Sequence, residues 1–200
     1  MTKLANEKQF YKISVAIFAL YLWLLVWVIC LKWNQTVTIT DTYYIFGAMD
    51  WTKKLEFVKT SFKALFTTTS FDIFWKDPLQ EILNIVVFAP FGLYISYFAK
   101  KCKFLWAVAL SLVTSVMFEC LQLVTNIGCF SAIDIIDNTL GGLVGWGIFK
   151  LIYKQTPKRL KTLSVVSIVT LSIAVPLAIF ALVKTISMWN FYLAILTKTY

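Results

Sequence analysis

Five apolar runs, each close to the length needed to cross a hydrocarbon core, restrict this 200-residue chain to a helical bundle in a membrane. They cover Ile13–Leu31, Ile82–Phe98, Phe104–Thr125, Asn138–Tyr153 and Leu163–Val183, against a requirement of about 20 predominantly apolar residues for one crossing. The fourth is short and is expected to stand nearly upright or to thin the bilayer around it. The first is too long for the apolar core of a signal peptide, and no small-residue cleavage site follows it, so it reads as a retained anchor. The expected fold is all-α: a single polytopic membrane domain over residues 1–200 with about five transmembrane helices. With 60% hydrophobic and only 14% charged residues, the chain falls outside the composition of soluble domains.

The basic residues set the orientation. Lys3, Lys8 and Lys12 precede the first run, Lys100, Lys101 and Lys103 fill the turn between the second and third, and Lys150, Lys154, Lys158, Arg159 and Lys161 follow the fourth. With five spans these all fall on one side, and eight of the ten acidic residues fall on the other. The positive-inside rule then puts the N-terminus in and the C-terminus out. The net charge of +9 is dispersed between apolar runs, which fits topology and anionic lipid better than nucleic acid. The chain has no histidine and a single arginine, Arg159, which excludes Ser-His-Asp and Cys-His catalysis and histidine metal sites. Its four cysteines show neither CxxC nor zinc spacing.

The one sizeable external loop spans residues 32–81. Gln35 to Thr40 alternates threonine with apolar residues and predicts a short extended segment. Trp51, Leu55, Val58, Phe62, Leu65 and Phe66 then recur at helical spacing, with Lys53, Lys59 and Lys63 off that stripe. This is the pattern of a helix lying in the outer headgroup layer, and equally that of a helix packing on the bundle.

Single polar residues interrupt the apolar runs between Asn84 and Gly145. Glu119 lies about six residues inside the outer end of its span, a depth of roughly 9 Å, and Gln122 is one turn away on the same face. Asn84, Asp134 and Asn138 are expected near the same outer level. A carboxylate in a lipid-spanning helix costs at least about 2.5 kcal/mol at the centre, which makes such a set a candidate site for binding or reaction. The structural alternative is a protonated Glu119 hydrogen-bonded to Asn84 or Asn138, joining the helices. For Asp134 and Asp137 the alternative is an ordinary cap on the helix that follows. Gly141 and Gly145 form a GxxxG pair suited to close helix approach, while Pro90 and Gly92 predict a bend in the second span.

Three blocks in order resemble the VanZ-like family. They are Asn84-Ile-Val-Val-Phe88-Ala-Pro90-Phe-Gly92, then Glu119-Cys-Leu-Gln122, then Asp134-Ile-Ile-Asp-Asn138-Thr-Leu-Gly141-Gly-Leu-Val-Gly145. The blocks lie within a core of about residues 84–153. The resemblance implies a small multi-pass protein of the bacterial cell membrane that lowers susceptibility to teicoplanin, a lipoglycopeptide directed at cell-wall precursors. Members of the family often carry an arginine and further acidic residues between the E-x-x-Q block and the aspartate. Here Asn126 to Ile133 carries no charge.

Three functions compete on this evidence. In the first, Asn84, Glu119, Gln122, Asp134 and Asn138 bind a lipid-linked cell-wall precursor or an envelope polymer. In the second, the chain is an enzyme on an envelope lipid or polymer, with Glu119 and Asp134 as the catalytic candidates and no activated nucleophile in sight. In the third it is an oligomeric transporter or flippase component, for which five spans without an inverted repeat are few. The expected partners are membrane lipid and such a precursor or polymer, with no nucleic acid, no cofactor and no metal. Sequence alone leaves the oligomeric state open.

Overall fold

A bilayer core offers backbone groups no water, so each crossing segment must close its own hydrogen bonds, and helices do this locally. The computed structural model of the chain describes residues 2–30, 51–67, 78–99, 103–125, 130–155 and 159–198. Among them are six helices and no strand: α1 (Thr2–Cys30), α2 (Trp51–Thr67), α3 (Pro78–Phe98), α4 (Lys103–Thr125), α5 (Ala132–Gln155) and α6 (Arg159–Lys198). Five of them, all but α2, are long and apolar enough to cross a membrane. The extended segment expected over Gln35–Thr40 lies outside the described residues, as do the rest of the loop over 31–50 and 68–77 and the turn lysines Lys100 and Lys101.

The bundle is organised around α5, which packs against α3 most extensively and against α4 next. Absent side chains make this possible. A Cβ added at Gly145 would collide with the Ala89 carbonyl oxygen and lie 2.7 Å from the Leu93 nitrogen; one at Gly141 would lie 2.7 Å from Phe88 Cβ. Gly141 meets the Ile85 region and Gly145 the Ala89 region, so α3 and α5 run in the same direction, as helices separated by one intervening span must. Gly142 faces the other neighbour: a Cβ there would lie 2.6 Å from Ser111 Cβ on α4. Gly92 of α3 approaches the Gly142 backbone so closely that its own Cβ would stand 2.7 Å from Gly142 Cα. Thus α3 and α5 touch backbone to backbone and α4 meets the α5 backbone through Ser111, in the manner of small-residue membrane interfaces.

Outside this triple, α1 and α6 pack on each other and on α3. Tyr21, Leu25, Val87, Phe88, Phe91 and Phe118 form one buried apolar cluster, and Leu93, Tyr94, Tyr97, Phe149, Leu163 and Val166 form a second one deeper along α3. Two tyrosines join the helices through polar tips. Tyr94 Oη donates to the Ser14 carbonyl at 3.2 Å and lies 3.2 Å from Ser167 Oγ, linking α1, α3 and α6. Tyr21 Oη donates to the Val87 carbonyl at 2.6 Å, one residue past the Val86 carbonyl that Pro90 leaves without a helical donor. Tyr21→Phe is expected to cost about 1 kcal/mol, the net worth of one buried hydrogen bond. A detergent unfolding titration would show this as a lower midpoint with unchanged helicity.

Two helix boundaries differ from those expected. The helix carrying the D-xxx-N block begins at Ala132, six residues before Asn138, and its 24 residues reach about 36 Å. It is therefore long enough to span without thinning the bilayer. At the other end of the chain, α6 continues through Lys198, past the apolar run Leu160–Val183.

Candidate functional site

Polar side chains collect where α4 meets the N-terminal halves of α3 and α5. On α4, Ser111, Ser115, Glu119 and Gln122 recur at helical spacing and all are buried, with Glu119 at 0% exposure. On α5, Asp134, Asp137 and Asn138 are buried, and on α3 Glu81 is 6% exposed. The two neighbouring rows are tied at two levels. Nearer the surface, the Ser131 amide donates to Glu119 Oε2 at 2.6 Å. One turn deeper, Asn138 Nδ2 donates to Ser115 Oγ at 2.8 Å.

Glu119 therefore takes a hydrogen bond from the backbone at the start of α5, a partner sequence alone did not offer it. Ser131 also caps that helix, with the Asp134 amide 3.4 Å from its Oγ, in the S-x-x-D spacing of a capping box. This corrects the reading of Asp137 as a cap. Asp137 lies in the second turn of α5, on the Asp137–Gly141–Gly145 stripe that faces α3. Glu81 occupies the matching place on α3, one turn outside Ile85. Asn84 is only partly buried and lies level with the Gly141 contact. The expected residues thus form a ladder along the three-helix contact rather than a ring at one depth.

Several buried atoms in the ladder retain hydrogen-bonding capacity. Glu81 Oε2, Asn84 Nδ2, Ser111 Oγ and Asn138 Oδ1 have no hydrogen-bond partner among the described residues. Each such atom costs about 1–3 kcal/mol when left unsatisfied in a dry interior. Two of them are strong acceptors and one is an amide donor, a set complementary to hydroxyl, amide and amine groups. No group of three or more acidic or sulfur ligands placed to hold a metal ion occurs among the described residues.

Helix α2 closes this end of the bundle. Ser61 Oγ accepts from the Ala132 amide at 2.9 Å, satisfying a donor at the α5 N-terminus. Lys54, 6% exposed, donates from Nζ to the Leu123 carbonyl at 3.1 Å, where its charge complements the C-terminal end of α4. Phe57, Val58 and Leu65 pack on Phe130, Ala132 and Ile135.

The comparisons bear on the same stretch. The VanZ/LLP1 family model matches residues 18–153, which takes in α2 to α4, all but two residues of α5 and the C-terminal part of α1 from Phe18 onward. The chain belongs to the VanZ/LLP1 family. Protein VanZ of Enterococcus faecium is 29% identical to it over 147 residues, 74% of this chain and 80% of that one. No solved structure matches it. The polar ladder and the α2 contacts lie wholly inside the VanZ/LLP1 match, and α6 lies outside it. The chain is a multi-pass membrane protein of this family.

Sequence reasoning left six participants in the VanZ/LLP1 region without a role: Lys54, Ser61, Glu81, Ser111, Ser115 and Ser131. Two signals for them were present. The row 111, 115, 119, 122 on α4 is itself a polar stripe, and Ser131-x-x-Asp134 is a helix-start signature. Lys54 and Ser61 carry no comparable signal, because their partners lie 69 and 71 residues away.

Proposed function

We propose that this protein acts in the bacterial cell membrane to reduce the action of lipoglycopeptides such as teicoplanin. It does so by engaging an outer-leaflet cell-wall precursor or envelope polymer through the polar ladder of α3, α4 and α5. The observation carrying this reading is the unspent hydrogen-bonding capacity of buried atoms of Glu81, Asn84 and Asn138, on the ladder that also holds Glu119, at the end of the bundle that the lysine pattern assigns to the outside. Sugar hydroxyls, peptide amides and amines are the donors such acceptors take, and a partly dry site strengthens each bond. Membership of the VanZ/LLP1 family supports the envelope setting. Glu119 and Asp134 are the residues on which engagement turns.

Expression in a teicoplanin-sensitive Gram-positive strain tests this. Wild type is expected to raise the inhibitory concentration severalfold. Glu119→Gln and Asp134→Asn, at equal membrane abundance by immunoblot, are expected to lose most of that gain. Unchanged susceptibility with wild type would remove the reading. Full protection by both variants would move the site away from the ladder.

A further inference from the structure

Beyond the ladder, the least explained surface is that of α2, whose residues divide into three faces when projected at 3.6 residues per turn. Lys54, Phe57, Val58, Ser61 and Leu65 share the face that meets the bundle. Trp51, Leu55, Phe62 and Phe66 share a second face, and all four are exposed, Phe66 by 87%. Lys53, Glu56, Lys59, Thr60 and Lys63 make the third, fully polar face. The first two faces lie roughly 90° apart around the helix axis.

That angle has a geometric meaning. A helix that lies in the membrane plane beside an upright bundle must turn one face sideways to the bundle and another, at a right angle, down toward the acyl chains. A helix held only by the bundle would need a single apolar face. Trp51, Leu55, Phe62 and Phe66 form a contiguous apolar strip that stays exposed among the described residues, although Phe62 reaches Phe130 with its ring, centroids 5.8 Å apart. Lys59 and Lys63 border the strip on the side away from the bundle, and the polar face as a whole carries three lysines against the single acid Glu56. Lysines flanking a buried apolar strip sit at headgroup level, with their stems along the apolar surface and their ammonium groups among the phosphates.

We infer that α2 is a lipid-docking helix: its Trp51–Leu55–Phe62–Phe66 strip inserts into the outer leaflet, and Lys59 and Lys63 beside it engage anionic headgroups there. This assignment stands apart from the proposed engagement of a wall precursor and does not depend on it. The sequence pattern alone allowed either a headgroup helix or a bundle helix, and the side-chain distribution accommodates both roles at once. Because the same helix holds the Ala132 amide and the Leu123 carbonyl, the lipid surface is coupled mechanically to the turn that presents Ser131 to Glu119.

Spin-label accessibility on the full chain in nanodiscs tests this. In a background with all four cysteines replaced by alanine, labels would be placed singly at Leu55→Cys, Phe66→Cys and Thr60→Cys, all at exposed positions where the label meets no packed core. In phosphatidylglycerol-containing discs, the Leu55 and Phe66 labels are expected to favour oxygen over a water-soluble nickel chelate severalfold, and the Thr60 label to show the reverse. Replacing phosphatidylglycerol by phosphatidylcholine, or combining Lys59→Gln and Lys63→Gln, is expected to make the first two labels shallower. Nickel access equal at all three sites would overturn the lipid assignment. Labels at Leu55 and Phe66 that are immobile and shielded from both reagents would also overturn it, in favour of a protein partner. Depth unchanged by lipid charge would overturn the anionic part.

Discussion

Replacing Gly145 with leucine is expected to abolish the folded protein rather than to weaken it. Any side chain there meets the Ala89 carbonyl and the Leu93 nitrogen, which are backbone atoms of α3. Backbone cannot move aside as the end of a flexible side chain can, so relief requires α3 and α5 to separate along their length. Overpacking in a close-packed interior costs about 1–3 kcal/mol even where side chains can adjust. Here separation would also undo the Gly92–Gly142 and Gly141–Ile85 contacts. The measurement is the yield of monodisperse protein in mild detergent, which should fall to background. Gly147 provides the control, because nothing lies within 4 Å of the Cβ that alanine would add. Gly147→Ala should leave yield intact and add stability through its better helix propensity, by at most about 1 kcal/mol.

The second large effect concerns Glu119, where two substitutions separate architecture from chemistry. Glu119→Leu removes the acceptor that holds the Ser131 amide at 2.6 Å and leaves that donor at the start of α5 without this partner. The loss should be about 1–3 kcal/mol and local to the α4–α5 junction. It should appear as faster hydrogen exchange at Ser131 through Asp134 and a lower unfolding midpoint. Glu119→Gln keeps an acceptor oxygen in the same place while removing the charge, so exchange at Ser131 should remain close to wild type. Wild-type exchange with lost teicoplanin protection would identify the carboxylate itself as the working group. Loss of both together would make Glu119 a structural clamp.

Much of this molecule can be read from its residues. The apolar runs define which segments become α1, α3, α4, α5 and α6, and Glu119, Asp134 and Asn138 stand out because a polar side chain in such a run needs a reason to be there. The start of α5 was less legible. Asp137-Asn138 looks like a helix entry, and the uncharged residues before it hid the cap at Ser131. The GxxxG pair indicates close approach without saying to what, and α3 is identified as the partner only by the contacts of Ile85 and Ala89. Gly92, legible as a source of flexibility beside Pro90, instead makes room for the Gly142 backbone. Lys54 was least legible of all. A lysine on an amphipathic helix ordinarily reaches into water, whereas this one meets the Leu123 carbonyl at the end of α4 and lies over the Trp51 ring, 4.9 Å from its centroid.

The parallel pairing of α3 with α5 also fixes an order of events. A chain leaves the ribosome from its N-terminus, so α3 enters the membrane with Glu81 and Gly92 on a face whose partner has yet to be made. At about 5–20 residues per second, the roughly fifty residues that separate α3 from its match on α5 take several seconds to synthesise. Of the glycines at this contact, Gly141 and Gly145 belong to α5, so the close approach of the two backbones needs that later helix. The contact that covers Gly92 of α3 thus cannot form until the D-xxx-N block has been translated.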